Sequence, residues 1–173
     1  MPRLADVNPL DRAVPCEPSL RELFADAAHN TYFMSETDSQ PVFVSTSFAA
    51  DKALTGEHIM AAFTDRLASA FGAGDLAAYT FELSTDFESA LFLKELGRCE
   101  PGDEDYIKDN ARGFSRIRKV FADHITDLRV MRVGPRAAGA TEMGVDQGAY
   151  QYLVVGRTRD GHLAGIAFES VET

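Results

Sequence analysis

The chain has 173 residues, 27 of them acidic and 17 basic, for a formal net charge of −10. With 45% hydrophobic and 25% charged residues, it is neither a disordered nor a collagen-like chain. A domain of this length buries roughly 70% of its unfolded surface, so it needs no disulfide or metal to fold. The acidic balance argues against direct binding to nucleic-acid backbones, which draw their affinity from clustered Lys and Arg. It suits either a solubilising surface or long-range attraction to a basic partner. No stretch approaches the ~18 consecutive apolar residues of a membrane span. The opening Met1-Pro2-Arg3-Leu4-Ala5-Asp6 lacks the apolar core of a signal peptide. A cytoplasmic protein with Cys16 and Cys99 as reduced thiols is expected.

Pro2, Pro9, Pro15 and Pro18 mark residues 1–18 as an irregular arm, which leaves 19–173 as one domain. Ser19 and Glu22 have the spacing of a capping box, and Leu20, Leu23, Phe24 and Ala27 predict a helix over 19–29. Tyr32-Phe33-Met34 then runs into an acidic turn at 35–41, and the β-branched stretch 42–48 predicts a strand. Thr55 is the next cap, with Leu54 and Ile59 as a hydrophobic staple. Ile59, Phe63, Leu67 and Phe71 share one helical face, and Gly72 is placed to stop that helix. Alternation from Ala77 to Leu83 predicts a strand, and Thr85 with Glu88 opens a helix that ends near Gly97. A longer helix is expected from Asp105 to about Ile125, a strand over 128–133, and a mobile Gly- and Ala-rich connection over 134–148.

The last segment predicts a β-hairpin around Asp160-Gly161. A two-residue turn pairs Arg159 with His162, setting Val155 against Ile166 and Leu153 against Phe168. Both faces of this hairpin are largely apolar, so helices should cover both. The expected fold is α+β: an α/β/α sandwich on a central antiparallel sheet with a C-terminal β-hairpin.

No His-Glu-x-x-His pair, close Cys/His cluster, Gly-x-Ser-x-Gly elbow or Walker loop occurs. Gly72-x-Gly74 follows a helix and reads as a helix stop. His29, His58, His124 and His162 are scattered, and spacing alone makes no enzyme of the chain. Two acidic features remain. Glu36 and Asp38 lie in the turn after the first helix, where Ser35 and Asp38, taken alone, read first as an ordinary Asx-type turn. Glu172 and Thr173 follow directly on the last strand, so the end of the chain should be held in place against the sheet.

At these two places the sequence resembles the nuclease A inhibitor family, which blocks a magnesium-dependent, sugar-nonspecific DNA/RNA endonuclease. The first matching stretch is Tyr32-Phe33-Met34-Ser35-Glu36-Thr37-Asp38 with Pro41 and Phe43. The second runs through Leu128, Val130 and Arg132-Val133-Gly134, then Tyr152-Leu153-Val154-Val155-Gly156 and Gly161-x-Leu163-Ala164-Gly165-Ile166, to Val171-Glu172-Thr173. Asn30 stands where the family often has Gly, and Phe168 where its hairpin often has Thr. The resemblance implies an α/β/α sandwich and a non-enzymatic inhibitor. It also implies that Glu36 and Thr173 enter the nuclease active site, with Asp38 and Glu172 as peripheral partner-binding charges. No cofactor, no metal of its own and no direct nucleic-acid contact would be needed, because the metal belongs to the nuclease. The alternative is a homologous module that binds a small ligand or an unrelated protein. An enzyme using His29 or His124 beside a carboxylate is the third reading.

Overall fold

The computed structural model describes residues 19–35, 38–71, 79–135 and 149–171. In chain order the elements are α1 (Arg21–Ala27), β1 (Val42–Ser47), α2 (Gly56–Ala62), α3 (Thr64–Phe71), β2 (Tyr79–Leu83), α4 (Asp86–Leu96), α5 (Asp105–His124), β3 (Thr126–Pro135), β4 (Ala149–Arg157) and β5 (His162–Val171). The five strands form one antiparallel sheet in the order β1-β5-β4-β3-β2. Apolar residues on successive strand positions point to opposite faces, and each face has its own core. On one, Val130, Val154, Ile166 and Phe168 pack against Phe24 of α1, Leu93 of α4 and Phe114, Ile117 and Phe121 of α5. On the other, Val44, Met131, Leu153, Val155 and Ala167 lie under Ile59, Met60 and Leu67 of α2 and α3. Helices on both faces of an antiparallel sheet are the α/β/α sandwich of α+β character that the sequence predicts. Among the described residues, no helix is long and apolar enough to cross a membrane.

The caps act where the sequence places two of them. Thr55 Oγ1 accepts from the His58 backbone N–H at 3.1 Å, with Leu54 packed on the same core as Ile59. Thr85 and Glu88 form a reciprocal capping box at the start of α4. The capping box expected at Ser19 does not open α1, because the chain is already helical at Leu20 and the cap position has no side-chain bond. The single helix expected up to Phe71 is broken in two at Phe63, whose φ and ψ are −113° and 28°. The Thr64 hydroxyl donates back to the carbonyls of Ala61 at 2.9 Å and Met60 at 3.2 Å, a competition with the helical ladder that bends helices. Gly72, Gly74 and Ala77 fall outside the described residues. The strand expected at 128–133 is longer at both ends, so the connection begins only after Pro135, and its remainder lies outside the described residues.

The hairpin register differs from the expected one by a residue. Arg157 stands opposite Leu163, and the Thr158 N–H donates to the His162 carbonyl at 2.9 Å, leaving a three-residue loop. Gly161 has φ +81°, whereas Asp160 is not in the left-handed region that a two-residue turn would also require of it. The Thr158 hydroxyl donates to Asp160 Oδ1 at 2.5 Å and accepts from the His162 N–H at 3.1 Å, which fixes the longer loop. The slip turns β5 over relative to the expected pairing: Leu153 now faces Ala167, and Val154 faces Ile166. Since every one of these residues is apolar, both faces remain buried.

Candidate functional site

The site is built by the segment that links α1 to β1. After α1 the chain reverses at Asn30, whose φ of +54° is a left-handed conformation that Asn tolerates better than most non-glycine residues. Thr31 is then fully buried against Gly113 of α5, and a Cβ at Gly113 would overlap the Thr31 side chain. The Tyr32 N–H donates to Asn110 Oδ1 at 3.0 Å. Phe33 and Ser39 exchange backbone hydrogen bonds of 2.8 and 3.1 Å, which closes the acidic turn into a loop with a fixed neck.

The loop is docked on the end of β5. Pairing between β1 and β5 stops at Val42 and Ala167, while β5 continues to Val171 alongside β4. In an antiparallel strand alternate N–H groups point to the same neighbour, so Glu169 and Val171 direct theirs where β1 no longer runs. Two serine hydroxyls take the place of the missing strand. Ser39 Oγ accepts from Glu169 N at 2.9 Å, and Ser35 Oγ accepts from Val171 N at 3.1 Å. Beneath the neck, Phe33 stacks on Phe168 with ring centroids 4.5 Å apart. Tyr152 lies 5.1 Å from Phe168, and Phe92 of α4 lies 5.6 Å from Tyr152. Phe168 thus gives the loop an aromatic floor.

Of the residues that the sequence singles out, Asp38 is exposed in this loop. Glu36, Glu172 and Thr173 lie outside the described residues. The residues that precede them in the chain, Ser35 and Val171, are hydrogen-bonded to each other. In the sequence Ser35 stands out as a member of the Tyr32–Asp38 stretch and as an Asx-turn partner of Asp38, neither of which points to an anchor on β5, and Ser39 does not stand out at all. The available signal was a serine at each end of the acidic turn, four positions apart, beside a strand that outlasts its neighbour. Tyr32 and Met34 flank the loop as exposed apolar side chains.

Among the described residues, no group of three or more His, Cys, Asp or Glu side chains could hold a metal ion. His29 is exposed at the end of α1, and His124 is half-buried at the end of α5. His58 Nδ1 lies 2.6 Å from the Ala53 carbonyl, and His162 Nδ1 lies 3.3 Å from Asp160 Oδ1 within the hairpin. Cys99 is an exposed free thiol, and Cys16 lies outside the described residues. A largely apolar groove of 440 Å³ lies on α4, lined by Leu91, Phe92, Leu96, Glu88 and Glu95. Comparison of the sequence with protein-family models and with curated proteins finds no match.

Proposed function

We propose that this protein is a non-enzymatic, cytoplasmic inhibitor of a magnesium-dependent, sugar-nonspecific nuclease. In this reading Glu36 and Thr173 occupy the nuclease's catalytic cleft, and Asp38 and Glu172 supply charge around it. The observation that carries the proposal is the pair of serine bonds that fastens the acidic turn to the end of β5. A carboxylate offered from a fastened loop loses less entropy on binding than one on a free loop. Nucleases of this kind hold hydrated Mg²⁺ beside basic groups built for phosphate, and a carboxylate can stand in for that anion. The net charge of −10 would accelerate encounter with such a cleft. No resident metal or cofactor enters the reading.

The test is plasmid degradation by a magnesium-dependent nonspecific nuclease, titrated with the wild-type protein, with Glu36→Ala and with Thr173 deleted. Stoichiometric inhibition by the wild type is expected. Both variants should weaken it while leaving the melting temperature close to that of the parent. Absence of inhibition at micromolar protein would overturn the proposal. The second reading, a module for a small ligand or an unrelated protein, draws on the apolar groove of α4, where Leu91 remains 42% exposed. Retained binding of such a partner by the Thr173 deletion would favour it.

A further inference from the structure

At the same end of the sheet, on the face opposite the aromatic floor, a pocket of 320 Å³ opens between α3 and the paired strands β4 and β5. It is lined by Arg66, Ser69, Ala70, Gln151 and Glu169, and its volume falls at the lower end of small-molecule sites. Gln151 is only 4% exposed. Its Nε2 donates to Glu169 Oε2 at 3.4 Å, while its buried Oε1 has no hydrogen-bond partner among the described residues. Arg66 is half-buried, and its Nε is likewise without a partner among the described residues. Burial pulls the Arg66 guanidinium below the ordinary arginine range.

Glu169 is fixed from two sides, by the Ser39 hydroxyl at its backbone N–H and by Gln151 at its carboxylate. A guanidinium and a carboxylate therefore line one pocket without pairing with each other. Buried polar groups are ordinarily satisfied, so the space between these two asks for a molecule that satisfies both. A simple anion would meet Arg66 and be repelled by Glu169, and a simple cation would face the reverse. An apolar molecule would leave the guanidinium and the amide oxygen unpaired.

We propose that this pocket binds a small zwitterion of the free α-amino-acid class. Its carboxylate sits on the Arg66 guanidinium, whose planar fork matches it, and its ammonium donates to Glu169 and to Gln151 Oε1. The proposal is independent of nuclease inhibition, since it uses side chains on the other face of the sheet.

The experiment is thermal unfolding and titration calorimetry of the full chain with each of the common free L-amino acids at about 10 mM. Their N-acetyl and C-amide derivatives are run in parallel. At tenfold excess over Kd, a true ligand raises Tm by about 3–6 °C for a domain of this size. One or a few free amino acids should do so, and masking either charged end should abolish the shift. Arg66→Gln and Glu169→Gln should each lose it while keeping the wild-type circular dichroism spectrum. If one variant fails to fold, the other still decides. The proposal is overturned if no free amino acid shifts Tm or releases heat, if a masked derivative binds as well as its parent, or if a folded variant binds like the wild type.

Discussion

Ser39→Ala isolates the attachment of the acidic loop more cleanly than any change to an acidic residue. The substitution keeps the backbone bridge between Phe33 and Ser39 and removes only the hydroxyl that accepts from Glu169 N at 2.9 Å. That bond is partly buried, so water can reach the abandoned N–H, and the cost falls in the range of a net hydrogen bond, about 1 kcal/mol. For a chain of this size, 1 kcal/mol lowers Tm by about 2–4 °C. Ser35→Ala removes the acceptor of Val171 N in the same way. Because the two bonds fasten one loop, the double variant should cost less than the sum of the singles. The decisive assay is amide hydrogen exchange at Glu169 and Val171, whose protection should fall by about fivefold for each 1 kcal/mol lost from local stability. Exposed Ser47→Ala serves as the control, with a change within about 0.5 kcal/mol. Unchanged exchange at Glu169 in Ser39→Ala, with an unchanged denaturation midpoint, would refute the serine attachment and the support it lends to the inhibitor reading.

Phe168→Ala removes a fully buried ring stacked on Phe33 and Tyr152 and should cost about 3–5 kcal/mol in urea unfolding. Gly113→Ala sets a methyl against buried Thr31, so an overpacking loss of about 1–3 kcal/mol is expected, with weakened protection of the Tyr32 amide that Asn110 accepts from. Thr85→Ala breaks the capping box of α4 and should cost about 1 kcal/mol with the rest of the fold intact. A hydrogen bond from Lys119 holds the Asp123 carboxyl below the ordinary Asp range. Its contribution is present above the unfolded pKa and is lost as pH falls through the folded one. Lys119→Ala should therefore move the Asp123 titration upward in an NMR pH series, with little change in stability at this exposed pair.

How much of this could be read from the sequence varies with the kind of signal. Helix starts governed by local chemistry were legible, as at Thr55 and Thr85, because a cap needs only residues three positions apart. The two-sided core was legible too, since continuous apolar strands near the end of the chain demand cover on both faces. The break at Phe63 was not, because Ile59, Phe63, Leu67 and Phe71 keep helical spacing on either side of it, and Thr64 bends the chain through its hydroxyl. Register in the hairpin was illegible for a related reason. When both faces are apolar, a one-residue slip carries no penalty in hydrophobic pattern, and the choice falls to the Thr158–Asp160 bond in the loop. At the candidate site the acidic turn was visible as composition. Its attachment was not, because serines 35 and 39 meet residues 171 and 169 only after nearly the whole domain has folded between them.

The place of β5 between β1 and β4 also sets an order of events during folding. β1 has β5 as its one strand partner among the described residues, and their pairing closes a loop that contains every other strand and all helices but α1. Contacts so distant in sequence pay their closure entropy before they are rewarded, so they form late and slow the overall rate. Until then Val42-Phe43-Val44-Ser45-Thr46-Ser47, a β-prone stretch without a single charge, waits without its sheet. Such a segment is a template for pairing with other chains. During synthesis and refolding, crowding and temperature should therefore act on this protein first through its first strand, and the yield of native protein should depend on how soon the last strand arrives to cover it.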